Sequence, residues 1–330
     1  MRKAYIYIII ICLLASVSCD SDKKKGPVTA KVQSAPYELL VVVNKEWLKT
    51  TDGEQFKQMV ESPIEGLPQQ EPYFRTTYIF PHAFSSTFRT YANILVVESG
   101  SKYSRIGLRQ ATNVYAQPQV IMYLEAPNTG ALIEAITTYK DRILHTFNEN
   151  EFVRERNFLG RNYAKTVHAE ALKQFGVSIK IPEVVDAIKK GKDFMWASDT
   201  QEDFRQNLCL YTLPMRGLTV ENLVEARDSV MKINIPGGNE EQWMETDRRS
   251  VMGGMTRVGN RDVLMVRGLW DMRRDAMGGP FVCYAYPDSV NQRVVVAEGF
   301  VFAPNKAKRA YVRQMEAALR TMIVEGNTQK

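Results

Sequence analysis

The sequence predicts an α+β fold made of two similar halves, each a mixture of strands and helices, with mostly antiparallel sheets and packed helices. Short apolar runs typical of strands alternate with longer segments whose apolar residues recur at helical spacing. The composition, 45% hydrophobic and 24% charged over 330 residues, is that of a folded chain. It excludes disordered, collagen-like and polytopic membrane proteins.

A repeated junction suggests that the two halves arose by internal duplication. A strand that ends in Ala-Pro-Asn leads into an amphipathic helix at residues 126–128 and again at residues 303–305. The same junction also arises independently, because Pro ends a strand and Asn starts a helix. Both explanations remain open at this point.

The N-terminal half is assigned to residues 37–176. Its apolar runs predict strands at Tyr37–Val43, Phe74–Phe80, Asn93–Glu98 and Gln119–Glu125. Its helices are predicted at about Glu54–Glu61, with Asp52 as the cap, then from Asn128 through the periodic residues up to Phe147, and at about Glu151–Phe175. Gly176 follows the last helix, where a C-terminal glycine is favoured.

The C-terminal half is assigned to residues 177–330. The predicted strands are Val177–Ile181, Phe194–Ala197, Leu208–Leu213, Ser250–Val258, Asp262–Trp270, Phe281–Tyr286 and Arg293–Phe302. Thr219 is expected to cap a helix through about Met231, and Asn305 is expected to start the final helix.

The first 18 residues have the pattern of a secretory signal. Arg2 and Lys3 precede the apolar run from Ala4 to Val17, which is shorter than the roughly 20 residues of a membrane-spanning helix. The segment that ends at Cys19 resembles a bacterial lipobox, although its Ser16 stands where most lipoboxes have Leu. That resemblance implies cleavage before Cys19 and attachment of lipid, palmitate among it, to the thiol. The alternative is an uncleaved membrane anchor.

Residues 19–36 are polar and charged, and they predict a flexible tether between the anchor and the folded body. In this interpretation the protein is held in the cell envelope through membrane lipid. We expect the outer membrane, with its periplasmic and surface faces both open.

The histidines and the two cysteines after Cys19 predict neither a metal centre nor a cofactor. No catalytic residue is assigned. His82, His145 and His168 lie in different elements without ligand spacing, and zinc needs three or four converging ligands. Cys209 and Cys283 lie in apolar runs, where two buried free thiols are favoured over a disulfide. The net charge of +6 is spread along the chain, which argues against a nucleic-acid partner.

Three segments carry a resemblance to a known family. They are GLWDMRRDAMGGPF (268–281), GFVFAPNKAKRAYVRQMEAAL (299–319) and ARDSVMKINIPG (226–237). All three resemble a family of lipoproteins from Bacteroidetes-type bacteria. That family is a domain of unknown function, and the resemblance extends over most of the chain after Cys19. It implies an envelope location and supplies no activity, substrate or catalytic residue.

Two groups of residues in these segments are candidates for binding. Trp270 and Asp271 precede Gly278 and Gly279, which suit either a loop that a ligand approaches or a tight connection between strands. Lys306, Lys308 and Arg309 are expected in the first turn of the last helix, where cations are unfavourable by about 0.3–1 kcal/mol each. Their presence suggests a compensating anion, which is an acidic side chain, a partner or a phosphate. The alternative is that their long stems carry the charges into solvent.

Three functions fit these features. The leading hypothesis is a non-enzymatic envelope lipoprotein that binds another envelope protein or an acidic polymer. The second is a hydrolase of cell-wall or polysaccharide substrates, with Asp271 and Asp275 near Trp270 as its carboxyl groups. The third is a structural scaffold within a larger complex.

Overall fold

The structure is a computed structural model that describes residues 30–201 and 204–325. Two units follow one another along the chain, each built on its own sheet, and the predicted α+β class with mostly antiparallel pairing is confirmed. The predicted signal segment, Cys19 and the predicted tether up to residue 29 lie outside the described residues. Residues 30–36 belong to the N-terminal unit and not to a tether, because β1 (Ala30–Lys31) pairs with Ala116 and Gln117 and the Gln33 N–H donates to the carbonyl of Thr90 at 3.1 Å.

The N-terminal unit contains a five-stranded sheet in the order β3-β2-β4-β7-β5. Its first four strands are parallel, and only β5 is antiparallel to its neighbour. The elements of this unit are β1 (Ala30–Lys31), β2 (Glu38–Val42), α1 (Lys45–Leu48), α2 (Thr51–Val60), β3 (Arg75–Ile79), β4 (Asn93–Ser99), β5 (Gly107–Thr112), β6 (Ala116–Gln117), β7 (Val120–Ala126) and α3 (Leu132–Leu159).

The C-terminal unit contains a seven-stranded, fully antiparallel sheet in the order β12-β13-β14-β15-β11-β10-β9. The elements of this unit are α4 (Lys165–Phe175), β8 (Val177–Ser178), β9 (Ala187–Gly191), β10 (Phe194–Ser198), β11 (Arg205–Pro214), α5 (Val220–Asn234), β12 (Met244–Val258), β13 (Arg261–Met272), β14 (Gly278–Asp288), β15 (Arg293–Phe302), α6 (Arg309–Leu319) and β16 (Ile323–Val324).

The two units do not share a topology, so the predicted duplication is not supported. The resemblance is confined to the Ala-Pro-Asn sequence, and even there the backbone differs. Asn128 accepts a hydrogen bond from the backbone of Ala131 and starts a helical turn, as predicted. Asn305 has a left-handed backbone (φ 59°) and precedes α6 by several residues, so it is not the predicted cap.

Each sheet buries apolar side chains on both faces. In the N-terminal unit, α1, α2 and α3 cover one face, while the other face is covered by loop aromatics that include Phe84, Phe88 and Tyr115. In the C-terminal unit, α4 and α6 pack on one face and α5 on the other. The sheets therefore supply the apolar burial that stabilises each unit.

Further helix boundaries differ from the sequence prediction. Thr50, and not the predicted Asp52, caps α2, because the Thr50 hydroxyl accepts the backbone N–H of Gly53 at 3.2 Å. The helix that begins after Asn128 continues as α3 to Leu159, and a break at residues 160–164 separates it from α4. Val167, Ala171 and Phe175 of α4 are buried in the core of the C-terminal unit, although the sequence analysis assigned this segment to the N-terminal half. Gly176 ends α4 with a left-handed backbone (φ 64°), as expected.

Within the described residues, no helix is both long enough and apolar enough to cross a lipid bilayer.

Candidate functional site

A cleft of about 600 Å³ lies where the two units meet, and we call it the inter-unit cleft. The N-terminal unit contributes the loop between α2 and β3, and the C-terminal unit contributes the β13–β14 connection and the loop after β15. The lining residues are Pro68, Gln69, Glu245, Leu269, Asp271, Met272, Arg273, Arg274, Asp275, Ala276, Met277, Gly278, Gly279, Phe302, Pro304, Asn305 and Lys308. Four of the seven predicted binding residues after Cys19 are therefore among them: Asp271, Gly278, Gly279 and Lys308.

The β13–β14 connection forms one wall of this cleft. The backbone N–H of Met272 donates to the carbonyl of Met277 at 2.8 Å and closes the turn. Arg274 has a left-handed backbone (φ 54°) and forms an ion pair with Glu241. Because the turn is fixed at both ends, Arg273, Arg274 and Asp275 project from it as exposed charges.

Gly278 and Gly279 are the first residues of β14 rather than a turn, which corrects the predicted tight connection. A Cβ on Gly278 would lie 2.8 Å from Asp271 Oδ1. A Cβ on Gly279 would lie 2.1 Å from the carbonyl oxygen of Val301. The two glycines therefore permit a close approach of neighbouring backbone and side chains at the base of the cleft.

Trp270 does not line the cleft, which corrects its prediction as a candidate binding residue. The side chain is 1% exposed, and its indole N–H donates to the carbonyl of Val301 at 3.3 Å. Its ring meets that of Phe300 edge to face with centroids 5.5 Å apart. Trp270 is a core residue below the cleft, since alternate residues of β13 point to opposite faces of the sheet.

The predicted anion beside Lys308 and Arg309 is the carboxylate of Glu71. Its two oxygens accept the backbone N–H of Lys308 at 2.7 Å and that of Arg309 at 3.0 Å. Glu71 belongs to the N-terminal unit, so it caps α6 across the junction between the units. A carboxylate at this end also compensates the helix dipole.

The basic side chains themselves connect the units. Lys308 is buried, and its ammonium donates to Gln69 Oε1 at 3.1 Å. Arg309 donates to the carbonyl of Pro72 at 2.9 Å. The ammonium of Lys306 lies 5.2 Å from the ring centroid of Phe204. Of these three cations, only Lys308 lines the cleft.

A network of charged side chains, mostly buried, continues along α6. Glu316 accepts hydrogen bonds from Arg267 at 2.8 Å and from the Tyr284 hydroxyl at 3.0 Å. Burial raises the pKa of Glu316, but Arg267 and Arg313 outweigh burial and hold it below its ordinary value. Arg320 forms two hydrogen bonds, at 2.8 and 3.0 Å, to Glu149 of α3.

Arg313 lies among aromatic rings of the N-terminal unit. Its guanidinium lies 5.3 Å from the ring centroid of Tyr37, 5.8 Å from that of Tyr73 and 5.0 Å from that of Phe152. A guanidinium over aromatic faces is a favourable contact, and more so when water is excluded. Together with Glu71 and Arg320, Arg313 makes α6 the element that joins the units.

A second buried ion pair crosses the core of the C-terminal unit. Arg227 of α5 reaches both oxygens of Glu298, with Nη2 at 2.8 Å from Oε1 and Nε at 3.0 Å from Oε2. Both side chains are fully buried. Arg227 therefore joins α5 to β15 in the core of the C-terminal unit.

The two cysteines flank Glu298 on adjacent strands, since Cys209 and Cys283 both pair with it in register. Two strand spacings put them about 10 Å apart, whereas a disulfide needs Cα atoms within about 7 Å. Both thiols are free and buried. Burial raises the pKa of each thiol, which keeps both sulfurs in the unreactive protonated form.

Among the residues that the structure describes, no group of three or more His, Cys, Asp and Glu side chains is placed to hold a metal ion.

Family models match both units of the chain. Residues 33–159 match the family described as "Domain of unknown function (DUF8532)". Residues 164–321 match the family described as "Domain of unknown function (DUF4837)". The expected resemblance to an uncharacterised domain family is confirmed, and the different models accord with the different topologies. No curated protein matches the chain by sequence.

Solved structures share only a distant likeness. LpqN of Mycobacterium tuberculosis, titled as involved in cell envelope biogenesis, is 10% identical with a TM-score of 0.27, over 44% of this chain and 81% of that one. The Saccharomyces cerevisiae Ran-binding protein Mog1p is 9% identical with a TM-score of 0.29, over 45% of this chain and 89% of that one. A Bacteroides thetaiotaomicron protein is 6% identical with a TM-score of 0.27, over 47% of each chain. Likenesses of this size carry no argument about function.

Proposed function

We propose that this chain is a lipid-anchored protein of the bacterial cell envelope that binds another envelope protein through the inter-unit cleft. The anchor is Cys19, and the body is the pair of units that begins with β1. The observation that carries the binding proposal is the composition of the cleft, which two units build together.

The cleft combines an apolar floor with fixed charges. Leu269, Met277 and Phe302 supply apolar surface, and Pro68 and Pro304 add rigid edges. An apolar centre with a polar rim is the usual anatomy of a protein interface. An extended segment of a protein partner matches this combination, because it presents apolar side chains together with backbone polar groups.

The rim carries charges of both signs. Glu245, Asp271 and Asp275 line the cleft together with Arg273 and Arg274, while Lys308 is buried beneath them. Three carboxylates against two guanidinium groups leave the rim without the excess positive charge that would attract an acidic polymer. Charged groups at an interface rim contribute to orientation and to the choice of partner.

The hydrolase alternative is less well supported by the same geometry. Asp271 and Asp275 are exposed at the rim. A carboxyl group that acts as a general acid is usually held in an apolar setting that favours its protonated form. The indole of Trp270, which that alternative places beside the substrate, lies in the core.

The anchor is tested by labelling cells with radioactive fatty acid. We expect the label in the wild-type protein and none in Cys19→Ala, because the thiol is the acceptor. Label in both proteins would refute lipid attachment at Cys19.

Binding in the cleft is tested by a matched pair of methionines. Met277 lines the cleft and is 37% exposed, whereas Met255 of β12 is 62% exposed and lies outside it. After mild cross-linking in intact envelopes, we expect Met277→Asp to lose a partner that Met255→Asp retains. Equal recovery of the same partners by both variants would contradict the proposed site.

A further inference from the structure

Within the described residues, no α-helix covers the second face of the N-terminal sheet. Apolar and aromatic side chains of loops and strands form its outer layer, and each of them keeps part of its surface exposed. We call this layer the aromatic face, and its half-buried residues are Ala83, Phe84, Phe88, Tyr91, Val96, Tyr115 and Tyr123. On the helical side of the same sheet, in contrast, Ile136 and Phe147 of α3 are fully buried. The aromatic face is therefore an amphipathic surface in contact with solvent.

The side of the sheet that carries the aromatic face is basic. From Phe80 to Tyr123 the chain has four Lys and Arg residues and a single acidic residue, Glu98. The four cations are Arg89, Lys102, Arg105 and Arg109. The helical side has a small acidic excess, because residues 45–61 carry three basic and four acidic side chains and α3 carries four basic and five acidic ones. An anionic surface would therefore be attracted to the aromatic side of the sheet.

Two of these cations lie over rings of the aromatic face. The guanidinium of Arg109 is 3.7 Å from the ring centroid of Tyr123, and that of Arg89 is 5.0 Å from the ring centroid of Tyr115. Arg109 also forms an ion pair with Glu125. In the part of the chain that the structure describes, no carboxylate lies within ion-pair distance of Arg89, which is exposed. Arg89 is therefore an uncompensated positive charge beside the aromatic rings.

The chain enters the N-terminal unit beside the aromatic face. Ala30 of β1 pairs with Ala116, and the backbone N–H of Gln33 donates to the carbonyl of Thr90 at 3.1 Å. Both partners are sequence neighbours of tyrosines of the aromatic face. Cys19 precedes Ala30 by eleven positions, and a fully extended chain of that length would span only about 40 Å. A lipid on Cys19 would therefore hold this face close to the bilayer.

From this juxtaposition we infer that the aromatic face rests on the surface of an anionic lipid bilayer. The inference depends on the lipid anchor of the proposed function, and it adds the surface that contacts the lipid and the charge of that lipid. Aromatic rings with a polar edge favour the headgroup region of a membrane. Basic side chains next to them are attracted to anionic headgroups. The point of chain entry favours a bilayer over a protein partner, because an anchor attached there brings lipid to this face first.

The test is photo-cross-linking of the lipidated full-length protein to the lipid of vesicles. A photoreactive phenylalanine derivative replaces either Phe88 of the aromatic face or Phe158 of α3, which is 55% exposed and belongs to the helix on the opposite face. The vesicles are made of phosphatidylcholine with or without phosphatidylglycerol. In the anionic vesicles we expect lipid adducts at position 88 to exceed those at position 158 at least tenfold, although residue 158 is the more exposed. Mass spectrometry measures the adducts.

The role of charge is tested with Arg89→Glu. Because this change reverses the uncompensated cation, we expect lipid adducts at position 88 in anionic vesicles to fall about fivefold or more. The matched control is Arg142→Glu, which reverses an exposed cation of α3 and should leave the adducts unchanged. If Arg89→Glu fails to fold by circular dichroism, anionic and neutral vesicles are compared with Arg89 retained. The same loss is then expected when phosphatidylglycerol is omitted.

Flotation of the vesicles separates failure of this inference from failure of the anchor. Protein that does not float with the vesicles would overturn both the lipid anchor and the inferred contact. Protein that floats but gives equal adducts at positions 88 and 158 would overturn the contact and leave the anchor intact. Adducts at position 88 that are insensitive to the charge of the vesicles and to Arg89→Glu would likewise overturn it.

Discussion

At the scale of single residues, the most consequential interaction is the pair that Arg227 and Glu298 form in the core. Two opposite charges taken fully out of water are tolerated because two of the guanidinium's nitrogens reach the carboxylate. Arg227 Nη1 also donates to the Thr246 hydroxyl at 2.7 Å, and the ring centroid of Phe281 lies 4.0 Å from the guanidinium. The Asp228 carboxylate also lies 3.6 Å from Arg227 Nη1, and both members of the pair are shielded from water.

Removal of one member should therefore destabilise the protein strongly. We expect Glu298→Ala to lower the free energy of unfolding by about 3–5 kcal/mol, because Arg227 stays buried without its hydrogen-bonded counter-ion and keeps only the more distant Asp228 carboxylate, 3.6 Å away. The measurement is urea unfolding followed by circular dichroism. The double variant Arg227→Met with Glu298→Leu should recover most of the loss. If the single variant were as stable as wild type, the pair would not be buried as described.

At the scale of elements, α6 depends on a residue that is distant in sequence. Its first backbone N–H groups are satisfied by Glu71, which precedes Arg309 by 238 positions. No local signal in the sequence of α6 identifies this cap, so the sequence alone favours Asn305 as the start of the helix. Strands with apolar runs were predicted, because this signal is local: the prediction Arg293–Phe302 coincides with β15. The polar, largely exposed edge strands β5 and β9 lack that signal and were not predicted.

The α3–α4 boundary shows the same limit. Apolar residues at helical spacing continue through Phe152, Leu159 and Val167, so periodicity alone does not reveal the break after Leu159. The position of this break is determined by packing, because α3 packs on the N-terminal sheet and α4 packs on the C-terminal sheet. The inter-unit cleft was predictable only in part for a similar reason, since Pro68 and Gln69 lie in a loop without a distinctive pattern.

Loss of the Glu71 cap on α6 should destabilise the protein moderately. We expect Glu71→Ala to lower the free energy of unfolding by about 0.5–2 kcal/mol, the range for helix N-caps. Gln70→Ala, one residue away and exposed, should be nearly neutral. Thermal or urea unfolding measures both. Equal effects of the two substitutions would contradict the capping role of Glu71.

The pKa of Glu316 predicts how the free energy of unfolding of the protein depends on pH. Its pKa in the folded protein lies below the ordinary value because of Arg267 and Arg313, despite burial. The unfolded chain therefore takes up a proton first as the pH falls below about 4.3. The stabilisation is complete above that range and is lost as the pH falls through the folded pKa.

The measurement is urea unfolding of wild type and Glu316→Gln from neutral to acidic pH. We expect the difference in stability between them to be largest at neutral pH and to shrink on acidification. A difference that grows as the pH falls would show that the sign assigned to Glu316 is wrong.

At the scale of the whole molecule, two units with different sheets are joined by shared contacts of α6. The Glu71 cap, the Arg320–Glu149 pair and the rings around Arg313 all link α6 to the N-terminal unit. The other side of α6 packs on the C-terminal sheet through Met315 and Leu319. Neither unit buries this helix alone.

We therefore expect the units to unfold in one transition. Near-ultraviolet circular dichroism reports on tryptophans of both units, Trp47 in α1 and Trp270 in β13, and far-ultraviolet dichroism reports on the backbone. Their urea midpoints should coincide. Two separated transitions would show that the contacts of α6 do not couple the units.

The cleft between the units is the centre of the functional proposal, and site-specific photo-cross-linking in living cells tests it most directly. A photoreactive residue replaces Ala276, which is exposed at the cleft, or Val290, which is 64% exposed in the β14–β15 turn and does not line the cleft. We predict a defined adduct with one envelope protein from position 276 and none from position 290. No adduct at position 276, or the same adducts at both positions, would contradict the account.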